Sequence, residues 1–328
     1  MGTEPSEVPN RPRAIRLAWT VALFTCFLVM MPIRADPPSQ SENPNTAKSR
    51  ILQTFPVGNV PMTASFDGVA VWVANYSDNS VTKLRASDGL KLGTYAVGTH
   101  PFALCSRASD IWVTNGDSGN VTWLRANGGA LLGTFDVGPR PRGILCEESN
   151  IWVANEGSLN VTKLQATDGI VLGTYPAGEN PYELVSDGTD TWITNKISAG
   201  TVTELAENGR KLGEFETGKF PSGIAFDGAN IWVANSGSGD VTELRASDGK
   251  LLGTFPVGGA PFGIAFDGSD IWVTDNHANT VHRLRARDGE LLETFAVGEA
   301  PAGIVFDGAN MWIALEGGNS VLKVPSGR

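Results

Sequence analysis

Tryptophan returns every 40 residues, seven times without a slip, at Trp72, Trp112, Trp152, Trp192, Trp232, Trp272 and Trp312. A proline keeps the same period eleven residues earlier (Pro61, Pro101, Pro141, Pro181, Pro221, Pro261, Pro301), and a glycine sits three before each proline, from Gly58 to Gly298. A repeat this regular constrains architecture more than any other property of the chain, because each unit must bury its apolar faces against identical neighbours. It overrides the two-domain prior that a length of 328 residues would carry.

One repeat reads as four short strands. After Pro221, Ser222 to Phe226 is a small-residue strand ended by Asp227-Gly228. Asn230 to Asn235 alternates with period two and is rich in β-formers. Val241 to Arg245 is the third strand, Asp248-Gly249 a tight hairpin, and Leu251 to Val257 the fourth strand. Four antiparallel strands in about 40 residues make a propeller blade. Pro56, Pro176 and Pro256 fall in the fourth strand, and a residue without an amide belongs on an edge, so that strand is the outer rim. The first strand carries the smallest residues and fits the centre.

The last repeat ends after its third strand, and a matching fourth strand, Ile51 to Val57, stands before the first repeat. The expected fold is therefore all-β: a seven-bladed β-propeller whose last blade is closed by the N-terminal strand, spanning residues 50–328. Residues 1–35 read as a signal peptide, with Arg11, Arg13 and Arg16 before the apolar run Leu17 to Met31, and residues 36–49 as a linker. That assigns an exported protein, periplasmic or extracellular, with no membrane span after cleavage; retention of the segment as an anchor is the alternative. Net charge is −10, which argues against nucleic acid as a partner. Cys105 and Cys146 lie one repeat position apart in adjacent units; they are either two small core residues or a disulfide.

The W-V-A-N and W-V-T-N segments, with G-I-A-F-D-G and G-T-F-P-V-G, resemble YVTN-type propeller repeats of exported prokaryotic proteins over residues 50–328. More distantly the chain is similar to streptogramin B lyases, whose family implies metal-assisted elimination by a central histidine. Their W-F-T-E segment is absent here, and no residue maps onto that histidine.

The repeats serve as controls for one another. Residues flanking the invariant prolines vary most, and aromatic and basic groups gather there: His100 and Phe102, Arg140 and Arg142, Tyr182, Phe262. Glu183 replaces the small residue found as Gly143, Gly223, Gly263 and Gly303, and is the best single candidate for a channel-facing group. Glu156, Lys196, His277 and Glu316 come from the second-to-third loops of the same face. These residues form a candidate pocket: Phe102, Tyr182 and Phe262 as walls, Arg140 and Arg142 as an anion clamp, Glu183 with a histidine as acid and base. Asn75, Asn115, Asn155, Asn195, Asn235 and Asp275 recur around the ring, which makes them structural turn residues and not metal ligands. The histidines lack metal-ligand spacing, and no metal site is assigned.

The leading expectation is a non-catalytic, monomeric propeller binding a protein, glycan or small ligand at its central face. The alternative is a metal-assisted lyase or lactonase-type hydrolase at the channel mouth, using Ca²⁺ or Mg²⁺.

Overall fold

The computed structural model describes residues 52–327. The expected leader, the linker and Ile51 lie outside the described residues. Seven four-stranded antiparallel sheets form the blades of a ring. Six are built from consecutive strands, so that blade 1, for example, runs Pro61–Phe66, Ala70–Asn75, Ser80–Arg85 and Lys91–Ala96. In blade 7 the strands Pro301–Phe306, Asn310–Leu315 and Ser320–Pro325 are joined on the outside by Gln53–Pro56. The register places Phe55 opposite Val321 and Pro56 opposite Ser320. The first strands of successive blades contact one another around the centre, and the fourth strands are the exposed rim, as the edge prolines require.

All seven tryptophans are fully buried. Each packs on the next blade in the ring. Trp72 lies among Leu104, Ile111, Val113 and Leu124 of blade 2. Trp312 lies among Val71, Val73 and Leu84 of blade 1, which closes the circle. Burying a side chain of this size contributes on the order of 2–3 kcal/mol by area.

A polar link accompanies the packing. The aspartate ending each first strand accepts the indole Nε1–H five residues later: Asp67 from Trp72 at 2.8 Å, Asp227 from Trp232 at 2.7 Å, Asp307 from Trp312 at 2.7 Å. Its other oxygen accepts turn amides, those of Ala229 and Asn230 in the case of Asp227, at 2.8 and 2.7 Å. Glu147 takes the same role toward Trp152 at 3.0 Å. Blade 2 breaks the rule. Arg107 stands where the acceptor should be and reaches the Glu147 and Glu148 carbonyls, while the Trp112 indole nitrogen has no acceptor among the described residues. Trp123 stacks on Trp112, with centroids 4.9 Å apart and planes 9° off parallel, and its own indole nitrogen likewise has no acceptor among the described residues.

The recurrent asparagines Asn75, Asn115, Asn155, Asn195 and Asn235 each donate through the side-chain amide to two third-strand side chains of their own blade. The Asn75 amide donates to Ser80 and Thr82 and its carbonyl accepts the Gly58 amide, tying the fourth-to-first connection to the second strand. Cys105 and Cys146, on the first strands of blades 2 and 3, are disulfide-bonded with Cα atoms 5.7 Å apart, so the covalent reading holds over two small core residues. No helix among the described residues is long and apolar enough to cross a membrane.

Two outcomes are expected. Asp227→Ala strands the Trp232 N–H and two turn amides, and should cost about 1–3 kcal/mol in urea unfolding; a loss below about 0.5 kcal/mol would contradict the role given to this link. A chain starting after Val57 lacks the outer strand of blade 7 and should melt at a markedly lower temperature with reduced cooperativity, measured by circular dichroism.

Candidate functional site

Two sets of loops share one face of the ring. Each invariant proline pairs with the residue ending the second strand, such as Pro61 with Asn75 or Pro181 with Asn195. The fourth-to-first and second-to-third connections therefore lie together at the mouth of the central channel. Immediately after every proline the register slips by a bulge, for instance between Pro181 and Leu184. Bulges re-aim side chains, and here seven of them surround the channel.

The backbone separates the residues flanking the prolines into two groups. Six of the seven residues before the proline, including His100 (φ 52°), Arg140 (φ 52°) and Phe220 (φ 50°), are left-handed; the exception is Ala260, where Gly258 and Gly259 take the positive φ instead. That conformation is costly for non-glycine residues. Asparagines of the preceding blade help to hold it, since the Asn79 carbonyl accepts the His100 amide at 2.9 Å and the Asn279 carbonyl that of Ala300 at 2.8 Å. Arg140 and Phe220 are consequently exposed and His100 is half-exposed. The residues after the proline turn inward. Phe102 and Tyr182 are buried at 3% and 7% exposure, and Phe262 packs against the same cluster. The three rings meet edge to face, Phe102 with Tyr182 at 5.5 Å and Tyr182 with Phe262 at 6.3 Å.

Beneath these rings is a cavity of about 170 Å³, lined by Phe102, Tyr182, Glu183, Ser222 and Phe262 with glycines and aliphatic residues of the inner strands. An engineered apolar cavity of about 150 Å³ takes up benzene, which sets the scale of a guest. Glu183 faces this space. Its amide is held by the Thr194 hydroxyl at 3.0 Å, and that hydroxyl also donates to the Ser222 carbonyl of the next blade. The room for its side chain comes from the preceding blade: a Cβ on Gly143 would stand 2.8 Å from Glu183 Oε1. Burial pushes the Glu183 carboxyl up to about 7, against a weaker opposing effect from the Leu184 amide.

Cations crowd the mouth. Arg142 lies over the Phe102 ring at 4.6 Å, and its Nε donates to Glu156 at 2.8 Å. Arg140 reaches the same Glu156 oxygen at 3.2 Å from a more exposed position. The two guanidiniums thus share one carboxylate. Burial works against the Arg142 charge, but Glu156 outweighs it and the net shift is upward. Lys196 sets its ammonium 3.8 Å from the Tyr182 ring centroid and 5.1 Å from that of Phe262. Burial depresses it to about 8, with Arg142 adding to the effect and Glu156 opposing it. Burial likewise raises the Tyr182 phenol.

The two histidines at this face are placed differently. His100 stacks on Tyr76 at 4.3 Å and pairs through Nδ1 with Asp117 at 2.6 Å, outside the ring of Phe102, Tyr182 and Phe262. His277 is exposed, and only its backbone amide is engaged, by Asp275. Neither lines the cavity that Glu183 faces.

On the opposite face, sequence reasoning missed one cluster. Asp187, Asp190 and Glu204 bring carboxylate oxygens within 4.8 Å of one another, a donor set that could hold a cation. The signal was present: Lys83, Lys163 and Lys323 occupy the position of Glu204 in other blades. There they lie over the blade's tryptophan and donate to a carbonyl of the next blade, as Lys83 does to Ala126 at 2.6 Å. Burial first, then Asp190 and Asp187, raise Glu204 to about 7.

No family model matches the chain, and no curated relative does. Solved structures are similar in fold. One is described as Kuenenia stuttgartiensis Hydrazine Synthase, with a TM-score of 0.75 and 18% identity over 82% of this chain and 96% of that one. Another is described as U3-55K, with a TM-score of 0.73 and 13% identity over 84% and 98% of the two chains. Identities this low establish the propeller architecture and leave activity to the site itself.

Because the folded pKa of Glu183 lies above its ordinary value of 4.5, its charged form costs stability, and that cost grows as pH rises through the interval up to about 7. Glu183→Gln should match the parent near pH 4 and exceed it near pH 8 by roughly 3 kcal/mol. Equal stability of the two proteins across that range, followed by chemical denaturation, would remove the carboxylate from the buried channel.

Proposed function

We propose that this chain is an exported propeller with YVTN-type repeats that binds a small ligand at the mouth of its central channel without converting it. The observation that carries this reading is the convergence of three aromatic side chains and Glu183 on one cavity, with Arg142 and Lys196 lying over those rings at its mouth. Most of the wall is apolar and a few polar groups are placed on it, which is the composition of small-molecule sites. The apolar run Leu17 to Met31 supports export, and the Cys105–Cys146 bond fits an oxidising compartment.

A second reading has one observation in its favour. Burial shifts Glu183 up to about 7 and Lys196 down to about 8, so the channel and its mouth hold an acid and a base that both titrate near neutrality. That is an enzyme's equipment. The binding reading stands ahead of it because neither His100 nor His277 reaches the cavity with Glu183.

Ligand-observed NMR with a set of small aromatic, carboxylate, amine and sugar fragments tests the proposal. At least one class should bind the parent, and Phe262→Ala should weaken it about tenfold. Binding that ignores Phe262→Ala, or no binding at millimolar concentration, would defeat it; conversion of the bound fragment would transfer the site to the enzymatic reading. Export is checked by N-terminal sequencing of protein recovered outside the cytoplasm, expected to begin at Asp36.

A further inference from the structure

Among the lysines and arginines of the mouth, Lys196 and the exposed Lys219 have no anionic partner among the described residues, and of the two only Lys196 lies against the aromatic rings. Arg142 and Arg140 are both drawn to Glu156. His100 is paired with Asp117. The Lys196 ammonium, half-buried, makes no ion pair or hydrogen bond with any described residue, and lies over the Tyr182 and Phe262 rings that line the cavity. A ring quadrupole attracts a cation but satisfies none of its three N–H donors. The ammonium has given up part of its hydration without gaining an acceptor. An acceptor supplied by a guest would form a charge-assisted hydrogen bond shielded from water on one side.

The lysines of other blades show what a satisfied ammonium looks like here. Lys83, Lys163 and Lys323 also sit over indole rings, yet each donates to a backbone carbonyl of the following blade. Lys196 has the ring contacts without the carbonyl.

The opposite end of the guest is constrained too. Glu183, facing the cavity, accepts from the Leu184 amide at 3.3 Å, and no cation pairs with it. A positively charged guest would have to enter past Arg142 and Lys196. An anionic headgroup that stays at the mouth, carried on an apolar body that enters among the rings, meets no such barrier.

We infer that the central site takes small carboxylates with a planar apolar body, the carboxylate being held by the Lys196 ammonium at the channel mouth and the body lying against Tyr182, Phe262 and Phe102. This deepens the binding function proposed above and rests on it. The size of the cavity limits the body to about one six-membered ring.

The groups whose charge acts on Lys196 are Glu156 and Arg142, and the raised Tyr182 phenol stays neutral below them. Glu183 and Glu316 complete the ionisable groups acting on this corner of the mouth through Tyr182. With the Lys196 pKa at about 8, a bound anion stabilises its protonated form, so binding near that pH takes up a proton. Affinity therefore declines as pH rises through that value.

The test uses three probes of one shape, namely benzoate, benzyl alcohol and benzylamine, titrated calorimetrically into the full chain. Benzoate should bind at millimolar or tighter concentration, weaken with salt, and lose affinity on going from about pH 7 to about pH 9. Lys196→Met should weaken benzoate about 10- to 100-fold, the scale of one charge-assisted hydrogen bond, and leave benzyl alcohol unchanged. Lys196→Arg, which keeps its charge at high pH, should restore binding and flatten the pH profile. If benzyl alcohol or benzylamine binds as well as benzoate, with loss in Phe262→Ala, the pocket stands and the carboxylate assignment falls. If Lys196→Met leaves benzoate binding intact, the assignment falls likewise. If none of the probes binds, the assignment falls together with the function on which it rests.

Discussion

The structure depends on one indole per blade being enclosed by the next blade. A single sheet of four strands has two faces and cannot bury either alone. Here the face that carries Trp72 is covered by Leu104 and Ile111, and the face of blade 1 is in turn covered by Trp312. The seventh contact meets the first, so the tryptophan-bearing face of every blade is covered, and exposed apolar side chains such as Leu131 and Leu251 stand at the rim. Closing that circle with strand Gln53–Pro56 as the outer member of blade 7 makes the last contact non-local in sequence. Non-local closure costs chain entropy that only the completed ring offsets.

The aspartate-to-indole link shows how packing and hydrogen bonding are combined in each unit. A buried N–H left without an acceptor costs about 1–3 kcal/mol, so six blades spend a carboxylate on it. The same carboxylate organises the turn between the first two strands. Blade 2 gives up that arrangement, and Trp123 covers the unpaired indole with a second one. Blade 2 is also one end of the Cys105–Cys146 bond, which anchors its innermost strand to that of blade 3. A cross-link of this kind stabilises by about 2–4 kcal/mol.

The channel mouth is made from departures permitted by this regularity. Because the frame is repeated seven times, any one blade can change a residue at the mouth without changing the frame. Glu183 is tolerated because Gly143 leaves space across the blade boundary and Thr194 fixes the bulged amide. Around it lie groups whose charges are balanced unequally. Two arginines share Glu156, and Lys196 is left with aromatic faces only. The proposed binding of an external acceptor rests on that imbalance.

The sequence alone determined the architecture: the period of 40, the count of seven tryptophans, the edge prolines and the matching of Ile51 to Val57 with the other fourth strands were enough to place every blade and its closure. Repetition made this possible, since each strand could be checked against six others. It also singled out Glu183 as the residue departing from its column. Tertiary structure decided the rest. Left-handed backbone before six of the seven prolines sends His100 and Arg140 outward, and the bulge after the proline sends Phe102, Arg142 and Tyr182 inward, a division that spacing does not encode. The pairing of Cys105 with Cys146, the meeting of Asp187, Asp190 and Glu204, and the solitude of the Lys196 charge all depend on distances across blade boundaries. A repeat specifies what its own unit looks like; which side chains meet between units is fixed only by the angle at which neighbouring blades pack around the ring.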